Sequence, residues 1–200
     1  ALPFEIGAIN LPKIRGDISG DAWAVEQHRD RTLVLVADGL GSGVLAAEAS
    51  REAVRIFQTY INAHPQALLE KIHTGLRKTR GAVAAIAEIL PDERLLRYAG
   101  IGNIAGAILT SGTSRSMVSY NGTLGLTLHK VAEFSYPWSE NAILVMHSDG
   151  LSTHWTIDRY PGLTNRHPAL IAAVLYRDFR RAASPDDIAV LVLKRREEMP

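Results

Sequence analysis

The sequence predicts an α+β fold in which helices cover antiparallel sheets. Three observations carry that expectation. Strand and helix signals are segregated, in the order strands, two helices, many strands, one helix, one strand, which opposes a doubly wound βαβ repeat. Ala142–His147 and Ile188–Leu193 are continuous apolar runs, as expected of strands buried on both faces. The stretch from Leu95 to Phe134 breaks into short runs punctuated by Gly and Asn, the pattern of a meander.

Taken in order, Phe4–Ile9 reads as a first strand. Trp23–Gln27 and Thr32–Ala37 flank the turn His28–Arg31 and read as a hairpin. After a Gly-rich turn, Ala46, Ala49, Ala53, Ile56, Phe57 and Tyr60 recur at steps of three and four, with Glu48, Arg51, Glu52, Arg55 and Gln58 between them. That predicts an amphipathic helix from about Val44 to Ile61. Pro65 opens a second helix, with Leu69, Ile72, Leu76, Val83, Ile86 and Leu90 on one stripe and Pro91-Asp92 as its stop. Gly75 and Gly81 weaken it, each by about 1 kcal/mol relative to Ala. Leu95–Ala99, Ile104–Leu109, Arg115–Ser119 and Val131–Phe134 are the strands of the meander. A third helix runs from about Pro168 to Arg181, with Leu170, Ile171, Val174 and Leu175 facing inward. The tail Lys194–Glu198 is a charge run, expected to be a solvated terminus.

Composition narrows the function. The 200 residues are 46% hydrophobic and 22% charged, the balance of an ordinary globular protein. A single domain spanning 1–200, with no accessory sensor domain, is the expectation at this length. A formal net charge of +1 provides no whole-chain field for nucleic acid or an anionic membrane. The apolar runs are far shorter than the ~18 residues of a membrane span, and no signal-peptide pattern is visible. A cytoplasmic protein without a nucleic-acid or membrane partner is expected. There is no Cys, which excludes disulfides, thiolate nucleophiles and zinc–thiolate sites. Any metal must be held by oxygen or imidazole.

Four carboxylate positions stand where strands meet Gly-rich turns: Asp21 after Gly20, Asp38 before Gly39, Asp149 before Gly150, and the pair Asp186-Asp187 ahead of Ile188. Several Asp side chains meeting in one place repel one another unless a cation neutralises them. Hard divalent ions take such oxygen ligands. Two ions about 3.5–4 Å apart can activate a water for attack on a phosphoryl group. The Gly-rich stretch Gly39–Gly43 lacks the ending of a P-loop and the spacing of a dinucleotide fingerprint, so it does not read as a nucleotide site.

The ordered set Ser19-Gly20-Asp21, Ala37-Asp38-Gly39-Leu40-Gly41-Ser42-Gly43, Gly100-Ile101-Gly102-Asn103-Ile104, His147-Ser148-Asp149-Gly150-Leu151 and Asp186–Leu193 resembles the metal-dependent protein phosphatases (PPM, type 2C), in particular their bacterial SpoIIE-type branch. The match spans about residues 15 to 193. The resemblance implies an αββα four-layer sandwich, two antiparallel sheets flanked by helices. It implies a protein-serine/threonine phosphatase that hydrolyses phosphoserine or phosphothreonine through a metal-activated water, with Mn²⁺ or Mg²⁺ bound as two ions. By motif position, Asp38 bridges the metals, the Gly39 carbonyl and Asp21 hold one, and Asp149 and Asp186 hold the other. Asp187 stands where many relatives have Asn, and is expected to support the ligands. Ser42 stands where many relatives have His. With the bare catalytic domain, that feature is similar to small serine phosphatases of bacterial stress signalling. The implied substrate is a phosphorylated scaffold-type protein of the stressosome, and a monomer is expected. In relatives the two helices after the Asp-Gly motif shift the metal site; Gly75 and Gly81 suit such a movable element or simply allow close packing.

Other residues read more plainly. Eukaryotic relatives carry a phosphate-binding Arg near the first strands; Arg15 does not match that motif and reads as a surface residue. Asp17 reads as turn chemistry beside the better match at Asp21, and Asn103 likewise. His147 reads as a packed strand-end histidine rather than a general acid, and Trp138 and Trp155 as packing. Two rival functions remain: a phosphatase-like binding module with little or no turnover, and a two-metal nuclease. Intact ligand positions oppose the first, and a near-balanced charge gives the second little support.

Overall fold

Ten strands among the described residues build the fold, and their order in space sets the site. The computed structural model describes residues 2–111, 113–183 and 185–196. Its strands are β1 (Phe4–Leu11), β2 (Asp21–Gln27), β3 (Thr32–Gly39), β4 (Ala82–Leu90), β5 (Leu95–Ile101), β6 (Ala105–Thr110), β7 (Thr113–Ser116), β8 (Phe134–Pro137), β9 (Ile143–His147) and β10 (Ile188–Arg195). The helices are α1 (Val44–Thr59), α2 (Pro65–Gly75) and α3 (Pro168–Phe179).

The strands form two antiparallel five-stranded sheets, one in the order β1-β10-β9-β6-β7 and the other β2-β3-β4-β5-β8. One face of each sheet meets the other sheet. Val34, Val36, Ala85, Ala87 and Tyr98 from the second sheet pack on Phe4, Leu144, Met146, Leu191 and Leu193 from the first. The intervening residues of β3 and β4, Leu35, Ala37, Ala84 and Ile86, face outward onto Ala53, Ile56 and Phe57 of α1 and Leu69 and Ile72 of α2. On the far side Val145, Val190 and Val192 meet Ile171, Ala172 and Leu175 of α3. The period-two alternation of the central strands thus buries both of their faces. The result is the expected αββα sandwich.

Proline stands at the first turn of α2 and of α3, where its missing N–H and preset φ are tolerated. Before α3 the His167 Nδ1 accepts the Ala169 N–H at 3.1 Å, a side-chain cap. α1 starts instead from Gly43 in a positive-φ conformation, φ 74°, with no side-chain cap.

The second predicted helix is corrected. It stops at Gly75, a short 3₁₀ turn covers Leu76–Lys78, and the segment expected as its distal half is the central strand β4. The Thr79 hydroxyl donates to the Leu76 carbonyl and accepts the Gly81 N–H, closing the helix end. Gly81 then takes φ 84°, which reverses the chain. The run Ala82–Leu90 is buried on both faces, so its apolar residues satisfy a helical stripe and a strand equally well. Gly75 allows close packing: a methyl group there would fall 2.2 Å from Ile56 Cδ1 of α1. The later meander strands also shift, to Thr113–Ser116 and Phe134–Pro137. Lys194 and Arg195, read as tail, close β10, where Lys194 pairs with Glu5 and Ile143. Residues 197 and 198 of that run lie outside the described residues.

Candidate active site

The acidic residues converge at one end of the sandwich, where loops of both sheets meet. Asp21 opens β2 and Asp38 nearly closes β3, and they are direct cross-strand partners. Their neighbours pair as well, the Gly39 N–H donating to the Gly20 carbonyl at 3.1 Å. Gly39 cannot carry a side chain, because a methyl group would fall 2.0 Å from the Ala46 carbonyl oxygen of α1. The Asp-Gly step therefore lets the first turn of α1 press against the strand end and fixes the Asp38 backbone.

Asp149 follows β9 and Asp186 precedes β10, both in the first sheet. Asp38, Asp149 and Asp186 line a single cleft of about 590 Å³ together with Lys13, Ser42 and Asn103. Asp21, 4% exposed, is not among the lining residues and reaches the group as the cross-strand partner of Asp38. The structure thus brings together Asp21, Asp38, Gly39, Asp149 and Asp186. Asp17 and Arg15 are exposed outside that cleft, and the Asp17 N–H closes a turn onto the Ile14 carbonyl. His147 is buried, its Nδ1 against the Ser148 carbonyl at 2.8 Å and its Nε2 accepting the Trp155 indole N–H at 3.0 Å. Trp138 is buried edge-on against Phe4. These four residues and Trp155 occupy the structural roles expected of them.

Two residues do more than the motifs indicate. Ser148 is buried, donates from Oγ to Asp21 Oδ2 at 2.5 Å and accepts the Ala189 N–H at 2.9 Å. It ties the second sheet's Asp21 to the first sheet. Asn103, read as turn chemistry, donates its amide to Asp149 Oδ2 at 2.8 Å. The clue available for both was their place inside matched motifs, and no spacing rule names their partners. The Asp187 carboxylate accepts the Lys13 N–H at 2.6 Å and the Gly20 N–H at 2.7 Å, which holds the backbone just before Asp21.

Burial and mutual repulsion raise the carboxylates of the cleft. Burial, then the charges of its acidic neighbours, pushes Asp38 up to about 8. Asp21 is pushed up to about 7 by burial and by Asp187, Asp149 and Asp186, against the lowering effect of the Ser148 hydrogen bond. Burial and Asp186 also raise Asp149, which Arg181 partly opposes. Among the described residues no three acidic or histidine side chains already converge as a finished ligand set. The fit to a hard cation rests instead on the donor chemistry. All donors are oxygens, and Asp21 Oδ1 is buried without any hydrogen-bond partner. A buried carboxylate oxygen left bare costs free energy unless another ligand takes it up.

Comparison with known proteins agrees with this fold. The family model for stage II sporulation protein E (SpoIIE) matches residues 28–196. The phosphoserine phosphatase RsbX of Bacillus subtilis (strain 168) is 27% identical over 143 residues, 71% of this chain and 72% of that protein. A chain solved in work on the bacterial stressosome as a modular system controlling secondary messenger signalling superposes with a TM-score of 0.87 at 26% identity, covering 96% of this chain and 99% of its own. Two more distant structures share the fold. RsbX in complex with magnesium has a TM-score of 0.80 at 22% identity, covering 97% and 96%. The PstP catalytic domain in complex with two manganese ions has 0.74 at 16%, covering 98% and 100%.

Proposed function

This chain belongs to the SpoIIE family, and we propose that within it the protein is a metal-dependent serine/threonine phosphatase acting on a phosphoprotein of a stressosome-type signalling assembly. Phosphatase activity follows from the family and from the RsbX relative. The observation that carries the metal-dependent reading is the buried, unpartnered Asp21 Oδ1 amid raised carboxylates at the end of a type 2C fold.

In this reading Asp21, Asp38, the Gly39 carbonyl, Asp149 and Asp186 hold two Mn²⁺ or Mg²⁺ ions. Such ions supply a water of lowered pKa and a positive clamp on phosphoryl oxygens. The remaining work belongs to the chain. Ser148 and Asn103 each bond one oxygen of Asp21 and Asp149, which fixes the orientation of the other oxygen of each carboxylate. Asp187 pins the Gly20 and Lys13 backbone, which sets the approach of β1 and β2 to the cleft wall. With positions fixed in advance, rate enhancement comes from orientation and electrostatics.

A protein substrate is supported by the surroundings. Leu40 lines the cleft, and Val44 and Leu45 beside it are 57% and 49% exposed. Apolar side chains held in water around a polar cleft suit a macromolecular partner better than a small phosphomonoester. We place the whole described chain in one catalytic domain working in the cytoplasm; no helix among the described residues is long and apolar enough to cross a membrane.

The test is multiple-turnover phosphate release from a phosphoserine-bearing stressosome scaffold protein, with Mn²⁺ and with excess chelator. Many phosphates released per chain, abolished by chelator, is the expected result. Tight binding of the phosphoprotein with no turnover would make the chain a binding module instead.

A further inference from the structure

Four acids and two divalent cations leave a cleft near neutrality, yet a phosphoserine ester arrives as a dianion. We infer that Arg80 and Lys13, one from each sheet's loops, receive the substrate phosphate at the cleft mouth; this rests on the phosphatase reading above.

Arg80 is placed by the β-ladder. β3 and β4 pair up to Gly39 and Ala82, and the Leu40 N–H continues the ladder onto the Gly81 carbonyl at 3.0 Å. The next step sets Arg80 opposite Gly41, a residue lining the cleft. The Arg80 guanidinium lies across that glycine: a methyl group on Gly41 would fall 2.8 Å from Nη1. Gly41, at φ 88°, has the backbone of a residue without a side chain, and the space is filled by the Arg80 guanidinium. Lys13 lines the same cleft from the β1–β2 loop, its amide held by Asp187 at 2.6 Å. Among the described residues neither side chain forms a salt bridge or a hydrogen bond, although four carboxylates lie close by. Two cations at the edge of an acidic cleft, left unpaired by the protein itself, are available to an incoming anion. A guanidinium can grip two phosphoryl oxygens, and an ammonium adds a point charge. This assigns the anion recognition that Arg15, exposed outside the cleft, does not supply.

The experiment compares the Mn²⁺-loaded wild type with Arg80→Ala, Lys13→Ala, the double variant and Arg80→Lys. A phosphoserine peptide serves as substrate and inorganic phosphate as competitor. Each Ala variant is expected to raise KM for the peptide about tenfold and to weaken phosphate inhibition in parallel. Arg80→Lys should recover part of the loss, and Mn²⁺ affinity by calorimetry should stay at the wild-type value. Unchanged KM and phosphate inhibition in the double variant would overturn the assignment, as would a loss of Mn²⁺ affinity that accounts for the KM change. Absence of turnover in the wild type would instead overturn the phosphatase reading itself.

Discussion

Asp21 and Asp38 face each other across a strand pair, largely out of water; burial raises both, and the charge of Asp21 raises Asp38 further. Their pKa values in the folded chain stand at about 7 and about 8, against 3.8 in the unfolded chain. Between those limits the folded state binds protons that the unfolded state lacks, so stability falls as pH rises. His147 has the opposite sign, since burial lowers it, but above about pH 6.5 it is neutral in both states. The melting temperature of the metal-free chain should therefore fall between about pH 6.5 and pH 8, and Mn²⁺ should raise it most at the upper end. Calorimetric scans across that range check this; a flat or rising trend without metal would contradict it. Asn103→Ala frees Asp149 to turn, and Ser148→Ala leaves Asp21 and the Ala189 N–H without a partner. Each should weaken Mn²⁺ binding about tenfold in a titration. The acids of the cleft stand out in the sequence, Asp21, Asp38 and Asp149 as strand-end Asp beside Gly and Asp186 by its place before the apolar run of β10. Ser148 and Asn103 were not legible as supports, because their partners lie 127 and 46 residues away.

Elements divide the same way. The hairpin, α1 and α3 follow from local periodicity, and the structure places them within a few residues of expectation. β4 was misread because burial on both faces erases the alternation that distinguishes strand from helix. The loop joining α1 to α2 depends on tertiary contacts that no local pattern shows. Arg31 donates to the Ile61 and Ala63 carbonyls at 2.6 and 2.7 Å and pairs through Nε with Glu88, a 1%-exposed carboxylate of β4 that Arg97 also reaches. Arg31→Ala strips Glu88 of its closest charge partner and leaves two carbonyls bare. It should cost about 3 kcal/mol in urea unfolding, by analogy with other broken buried ion pairs. A loss under about 1 kcal/mol would show that Arg97 and water replace Arg31.

At the scale of the whole molecule, the site exists only because two sheets stack. Asp21 and Asp38 belong to one sheet, Asp149 and Asp186 to the loops of the other. The four-layer order could be anticipated from the segregation of strands and helices, and the family motifs located the acids. The register that sets Asp21 opposite Asp38, and the Ser148 bridge between sheets, emerge only once the chain is folded. The central claim is that carboxylates from four separated segments make one metal centre. Anomalous diffraction at the manganese edge from crystals soaked in Mn²⁺ tests it most directly. Strong peaks bounded by Asp21, Asp38, Asp149 and Asp186, lost in Asp38→Asn crystals, are the predicted result. Peaks confined to other surfaces, or a cleft without manganese at saturating Mn²⁺, would contradict it.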